Sequence, residues 1–248
     1  MSAERTIVVS GAGSGIGRAV TERLVADGGQ VTAVGRRPEP LQELADELGK
    51  AVRPVAANVG TEAGAAAVAA DLAAAGQACA GVVAAAGGLT QDQAAASPLE
   101  QARRTWQASF ESNVLTAVLL VEALWADLQR QRGRIVLVSS VAALRGSGGG
   151  PYGAMKAALH AWAYDLAREL GPGGGTANVV APGFVPDTGF WAGRLTADSR
   201  RERGAQTLVG REGTPAEVAS LIGWLLGPDG GWMTGQVLSP NGGVVLGR

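Results

Sequence analysis

Short apolar runs alternate with amphipathic stretches along the whole chain. Ile7, Val8, Val9 and Ser10 form the first run, which ends in a glycine cluster, and residues 16–27 then repeat apolar positions at helical spacing. Residues 30–34 predict a second strand and 40–48 a helix; residues 52–57 predict a weaker strand and 62–75 an alanine-rich helix. A fourth strand over 81–86 closes on Gly87-Gly88. From about residue 105 to 131, Trp106, Phe110, Val114, Ala117, Val121 and Leu124 mark one face of a long helix. Residues 134–139 predict the fifth strand, 152–170 a helix, 176–181 the sixth strand, 215–226 a last helix and 236–239 a closing strand. The segment 184–210 is irregular and amphipathic. This alternation predicts an α/β fold, a parallel sheet with helices on both faces. A helical protein with apolar insertions would not set six strand-like runs beside glycines.

Composition narrows the function classes. The chain has 248 residues with no proline-rich linker, charge block or internal repeat, so one domain over 1–248 is expected. Lysine and arginine total 21 against 22 acidic residues, and no basic stripe forms, which argues against nucleic acid as partner. The lone Cys79 excludes an intrachain disulfide, and one histidine, His160, excludes a histidine-rich metal site; no metal is expected. The first residues are a short polar lead without signal-peptide layout, and the most apolar run, 114–121, is too short for a bilayer. The expectation is a cytoplasmic protein away from the membrane.

Two ends of the predicted sheet carry candidate chemistry. Gly11-Ala12-Gly13-Ser14-Gly15-Ile16-Gly17 follows the first strand and opens a helix. Any tight turn could use such glycines, but here they let backbone approach a pyrophosphate at a helix N-terminus, and Gly17 lets that helix pack closely on the sheet. The second strand ends in Val34-Gly35-Arg36-Arg37. An acidic residue there would accept from a free adenosine ribose; Gly35 cannot, whereas the Arg36 fork suits a 2′-phosphate. The alternative is a solvent-facing arginine pair. The residues favour NADP(H), with NAD(H) as alternative.

At the other end, Tyr152 and Lys156 share a helix face. Taken alone such a pair is usually a surface contact. A neighbouring ammonium, however, lowers a tyrosine pKa from about 10 and equips it for proton transfer to a carbonyl or from an alcohol. Ser139-Ser140 closes the fifth strand, where a hydroxyl could bond a substrate oxygen or serve a turn. Asn113, a poor helix former inside the long helix, is either exposed or holds a water or kinks the backbone near the lysine. His160 reads as an interface or surface histidine, or as the edge of the cleft. In 184–210, Phe184, Phe190, Trp191, Leu195 and Leu208 form either a substrate lid or simple packing, and Arg194, Arg200, Arg201 and Arg203 leave a carrier-protein phosphate open. The preferred substrate is a medium-sized, mainly apolar carbonyl or alcohol. Trp106, Trp125 and Trp162 predict helix pairing across a two-fold axis.

These motifs, in this order from about Arg5 to Val245, resemble the short-chain dehydrogenase/reductase family, and are similar to its 3-oxoacyl-carrier-protein reductase-like members and to actinobacterial ketoreductases. The Ser10 to Gly17 turn, Asn178 to Gly183, and Thr234 to Gln236 through Asn241 to Gly243 match its pattern. The resemblance implies a doubly wound, Rossmann-type three-layer sandwich with a mostly parallel seven-stranded sheet. It implies that Asn113, Ser140, Tyr152 and Lys156 form the catalytic tetrad. Tyr152 would be acid/base, Ser140 would orient the substrate oxygen, Lys156 would also bind the nicotinamide ribose, and Asn113 would support a water leading to Lys156. A nicotinamide cofactor would lie along Gly11, Ser14, Gly15, Ile16, Gly17, Arg36, Asn58, Val59, Ala86, Gly87, Pro182, Gly183, Val185 and Thr188. A homodimer or homotetramer is expected, with the C-terminal end in a second interface.

Three departures stand out. The family's Asn-Asn-Ala-Gly is Ala84-Ala85-Ala86-Gly87 here; its aspartate after the third strand is Asn58; and Ser140 and Tyr152 are one residue closer than usual. The loop glycines Gly146, Gly148, Gly149 and Gly150 are expected to absorb the last. The lost asparagines support a rival reading, a catalytically silent nucleotide-binding regulator.

Overall fold

The apolar runs pair as parallel strands because each side of them is apolar. A computed structural model describes residues 4–90, 95–148, 150–186, 188–191 and 193–247; Gly149 and the first three residues of the polar lead lie outside these. The strands are β1 (Glu4–Ser10), β2 (Val31–Gly35), β3 (Val52–Ala56), β4 (Gln77–Ala84), β5 (Arg134–Val138), β6 (Thr176–Val180) and β7 (Val237–Leu238). They form one sheet in the order β3-β2-β1-β4-β5-β6-β7. Every pairing is parallel, not merely most of them.

Helices α1 (Gly15–Ala26), α2 (Pro38–Leu48) and α9 (Pro215–Leu226) cover one face; α3 (Glu62–Ala74), α5 (Thr116–Arg130) and α7 (Tyr152–Leu170) cover the other. Strand alternation divides the core accordingly: Val8, Val82, Ile135, Leu137 and Val179 join α5 and α7, while Val9, Val83, Val136, Val138 and Val180 join α1 and α9. Each fully buried Val or Leu contributes roughly 1.5–3 kcal/mol, so the two-sided burial dominates the local propensities.

Two elements begin earlier than the periodicity suggests. β4 starts at Gln77 because Ala78 and Cys79 pair with β1, while Asp127 accepts from the Cys79 amide at 2.9 Å. The long helix starts as α4 (Pro98–Phe110), with Ser97 accepting from the Glu100 amide at 3.2 Å and Pro98 in the first turn. It runs through a π-helical turn, Glu111–Leu115, into α5. There Asn113 Nδ2 donates to the Ser109 carbonyl at 3.1 Å and Thr116 Oγ1 to the Ser112 carbonyl at 3.0 Å, diverting carbonyls from the regular ladder. The continuous run Pro98–Arg130 is long and apolar enough to cross a bilayer by length and composition, unlike its most apolar stretch alone. Its α5 residues Leu120, Val121, Leu124 and Leu128 instead pack in this chain's own core.

Residues 184–210 are more ordered than their pattern predicts: a 3-10 turn, Gly189–Trp191, is followed by α8 (Ala197–Ala205), opened by a reciprocal Thr196–Ser199 cap. A further short helix, α6 (Ala142–Arg145), follows β5. Of the tryptophans expected at an interface, Trp125 and Trp162 pack on this chain's own core, and Trp106 stays exposed, as do Phe110 and Tyr164.

Candidate active site

The sheet order reverses between β1 and β4, and the crevice outside the carboxyl ends of such strands is where ligands bind. On the β1 side the glycine turn leads into α1. Its N-cap, Ser14, is extended and makes no side-chain cap bond, and the first turn holds no acidic residue. The N-terminal amides and dipole are thus set up for an anion. A side chain on Gly17 would press into the Gly11 carbonyl, and a Cβ on Gly15 would lie 2.9 Å from Thr188 Cβ, so Thr188 sits directly on the turn. Beyond β2, Arg36 is exposed and makes no bond or ion pair among the described residues, whereas Arg18 is engaged by Glu22 at 2.8 Å and also by Glu47. Asn58 Oδ1 accepts from the Gly60 amide at 3.2 Å, shaping the turn after β3, and Val59 is buried below it. Pro182 and Gly183 are tied to neighbouring segments: the Val141 amide donates to Pro182 at 2.8 Å, and Gly183 donates to Pro240 at 3.0 Å. Val185 is buried, and its carbonyl accepts from Thr188 Oγ1 at 3.3 Å. These residues follow the carboxyl ends of β1, β2, β3 and β6, a rim where a nicotinamide dinucleotide would lie.

On the β5 side the structure brings Ser140, Tyr152, Lys156 and Asn113 together. Tyr152, at the start of α7, is hydrogen-bonded to Ser140, and Ser140 Oγ also accepts from the Ala142 amide at 3.1 Å. Ser139 faces another way, donating to the Lys156 carbonyl at 2.9 Å. The shortened loop therefore leaves Ser140 in reach of the tyrosine. Lys156 is only 4% exposed; its Nζ donates to the Val138 carbonyl at 2.9 Å and lies 6.0 Å from the centre of the Tyr152 ring. Burial pushes Lys156 down to about 8 and Tyr152 up to about 12, with Ser140 pulling the tyrosine partway back. In the chain alone, then, burial raises Tyr152, and the lowering comes from Ser140 rather than from the ammonium that was expected to supply it.

Asn113 is buried in the π-helical turn. Its Oδ1 accepts from the Gly88 amide at 3.0 Å, and Nδ2 donates to the Gly88 carbonyl at 2.9 Å and to Ser112 Oγ at 2.9 Å. A buried amide left unpaired would cost about 1–3 kcal/mol, so this side chain works first as a clamp on the segment after β4. Gly87 occupies a left-handed backbone (φ +148), and a Cβ there would come within 2.8 Å of Asn113 Oδ1 and 3.1 Å of Lys156 Nζ. Only glycine leaves that space open. The missing asparagines are compensated from outside the segment: Ser10 Oγ accepts from the Ala86 amide at 3.1 Å, and Thr116 Oγ1 reaches the Ala86 carbonyl at 3.5 Å. Neither Ser10 nor Gly88 was singled out as a site residue; the signal for Ser10 was a hydroxyl closing an otherwise apolar strand.

Within 184–210, an aromatic cluster lies against Tyr152. The Phe190 ring stands 5.4 Å from that of Tyr152, Trp191 packs on Phe190 at 4.9 Å and on Phe184 at 5.4 Å, and Arg203 stacks on Trp191 at 4.9 Å. Leu208 is exposed and packs toward the C-terminal Gly243 instead.

Known proteins are similar to this chain across nearly their full length. The family model for enoyl-(acyl carrier protein) reductase matches residues 11–245. The short-chain reductase protein NovJ of Streptomyces niveus is 32% identical over 98% of this chain and 95% of its own. The 3-oxoacyl-[acyl-carrier-protein] reductase FabG of Escherichia coli K12 is 31% identical over 96% of each. A crystal structure described as ribose-5-phosphate isomerase from Brucella melitensis 16M superposes with a TM-score of 0.84 at 30% identity, covering 96% of this chain and 91% of that one. The fold, the rim and these relatives identify the chain as a member of the short-chain dehydrogenase/reductase family, an oxidoreductase acting between CH–OH and C=O with a nicotinamide cofactor.

Proposed function

We propose that the chain interconverts a ketone and a secondary alcohol with NADP(H), with Tyr152 passing the proton. The observation that carries this reading is the grouping of Tyr152 with buried Lys156, whose Nζ lies 6.0 Å from the tyrosine ring, beside Ser140 just past the carboxyl end of β5. A bound nicotinamide supplies or takes the hydride. Ser140 orients the substrate oxygen, the Tyr152 hydroxyl gives its proton to that oxygen, and the Lys156 ammonium offsets the charge left on the phenol. A tyrosine held near 12 keeps its proton through the neutral range, which favours reduction over an oxidation that must first make the phenolate.

The segment 184–210 acts as the substrate lid in this proposal. Its inner wall is Phe184, Phe190 and Trp191, and its arginines are engaged within the chain: Arg201 by Asp198, Arg200 by Glu212, Arg194 by the Phe190 carbonyl, Arg203 by aromatic rings. An apolar wall without an idle cation supports a free, medium-sized, mainly apolar carbonyl substrate. The names of the FabG relatives favour a second reading, a 3-oxoacyl group tethered to a carrier protein. The proposal further places the enzyme in the cytoplasm, and as a homodimer or homotetramer, the assembly supported by exposed large apolar residues such as Trp106, Phe110, Trp224 and Trp232. Light scattering at two or four chain masses checks the assembly.

Incubating the pure protein with NADPH and a panel of free ketones and 3-oxoacyl thioesters tests the function, and turnover of free ketones is expected. Tight cofactor binding without turnover of any of them would favour the silent regulator instead. The cofactor preference rests on Arg36. A charge-assisted hydrogen bond is worth about 1.5–3 kcal/mol, so wild type should prefer NADP(H) by on the order of tenfold or more. Arg36→Ala should lose that preference. A wild type that prefers NAD(H), or a variant that keeps the full NADP(H) preference, makes Arg36 an ordinary surface residue.

A further inference from the structure

Three consecutive residues at the end of β5 each bond to α7. The Val138 carbonyl accepts from Lys156 Nζ at 2.9 Å, Ser139 Oγ donates to the Lys156 carbonyl at 2.9 Å, and Ser140 bonds the Tyr152 hydroxyl. The middle rung has an additional member: Ser139 Oγ lies 2.8 Å from His160 Nε2, one turn further along α7. A serine hydroxyl has one proton, here given to the Lys156 carbonyl, so the histidine ring is the donor and carries its proton on Nε2. Half-burial lowers the His160 pKa, which keeps the ring neutral at pH 7. Ser139 is buried, and its own amide donates to the Val180 carbonyl at 2.7 Å. The pair therefore joins α7 to β5 at a point that β6 already fixes.

We infer that Ser139 and His160 form a positioning pair that sets α7 against the end of β5 and thereby holds Tyr152 and Lys156 in register with Ser140. The geometric reason is the shared backbone. The residue before Ser139 receives the lysine ammonium and the residue after it meets the tyrosine, so a shift at the middle rung displaces both outer ones. Neither side chain touches the reacting atoms. The inference rests on the reading that Tyr152, Lys156 and Ser140 are the reacting set, but the pair itself is tested without turnover.

His160 is the sole histidine of the chain, so its ring gives one unambiguous nitrogen-15 signal pair. The full-length protein should show a neutral ring with an exchange-protected proton on Nε2, and Ser139→Ala should remove that protection. A ring that exchanges freely in the wild type, or carries its proton on Nδ1, overturns the pair whatever the activity. For the positioning role, His160→Ala and Ser139→Ala should each lower kcat about tenfold, the scale expected when reacting groups are misplaced, with KM kept within about twofold. His160→Gln, whose amide nitrogen reaches as far and donates the same bond, should restore most of kcat. The double variant should lose no more than either single one, since both remove one contact. Unchanged kcat in both alanine variants, no rescue by glutamine, or multiplied losses in the double variant would each overturn the positioning role. A wild type without turnover on any carbonyl would overturn the proposed activity, and with it the positioning role, while the ring-proton result still decides whether the pair exists.

Discussion

Tyr152→Phe lowers kcat by on the order of 10²–10⁴-fold, the usual contribution of a positioned acid or base, and leaves cofactor affinity intact. Phenylalanine keeps the ring that packs at 5.4 Å against Phe190, so the helix start and the segment above it retain their contacts. What disappears is the hydroxyl alone, and with it the proton that would go to the substrate oxygen. Ser140 loses one partner but keeps the Ala142 amide at 3.1 Å, so no buried polar atom is stranded. Steady-state rates paired with a fluorescence titration of cofactor check both halves. A variant retaining the wild-type rate would remove Tyr152 from the reaction.

Lys156→Ala is expected to damage turnover and cofactor affinity together, each by about tenfold or more, because in the proposed reaction one ammonium would serve the phenol and a ribose hydroxyl. Its truncation also leaves the buried Val138 carbonyl without the donor it has at 2.9 Å, so the melting temperature should fall as well. Burial has lowered the lysine to about 8, and its charged form exists below that value. The wild-type rate of reduction should therefore decline as pH rises through about 8, whereas the residual rate of the variant should lack that limb. Unchanged cofactor affinity in the variant would mean that the lysine does not contact the ribose.

Most of the sheet was legible because period-two alternation sends Val8 and Val9, or Val136 and Leu137, into opposite cores. The start of β4 was not, since Ala78 and Cys79 carry no strand signature and are recruited by pairing with β1. The start of α4 was written in Ser97-Pro98-Leu99-Glu100, a cap signature that the apolar periodicity from Trp106 onward overshadowed. Tyr152 and Lys156 were legible as a helical pair. Their pKa values were not, because burial depends on what the fold lays over them. Sequence also left Ser139 and Ser140 as rivals; only the path of the backbone gives the first to Lys156 and His160 and the second to Tyr152. His160 looked like a surface residue because its partner is 21 positions away on another element.

The central claim is direct hydride exchange between a nicotinamide and a carbonyl carbon, with the proton supplied by Tyr152. Isotope transfer tests it most directly. The protein is incubated in ordinary water with a turned-over ketone and NADPH carrying deuterium at the transferred C4 position, and the alcohol is analysed by mass spectrometry and NMR. One deuterium on the carbinol carbon and none lost to solvent is the expected result, with label transfer by Tyr152→Phe slowed on the order of 10²–10⁴-fold. Alcohol formed without deuterium on that carbon, or label transfer by Tyr152→Phe at the wild-type rate, would contradict that claim.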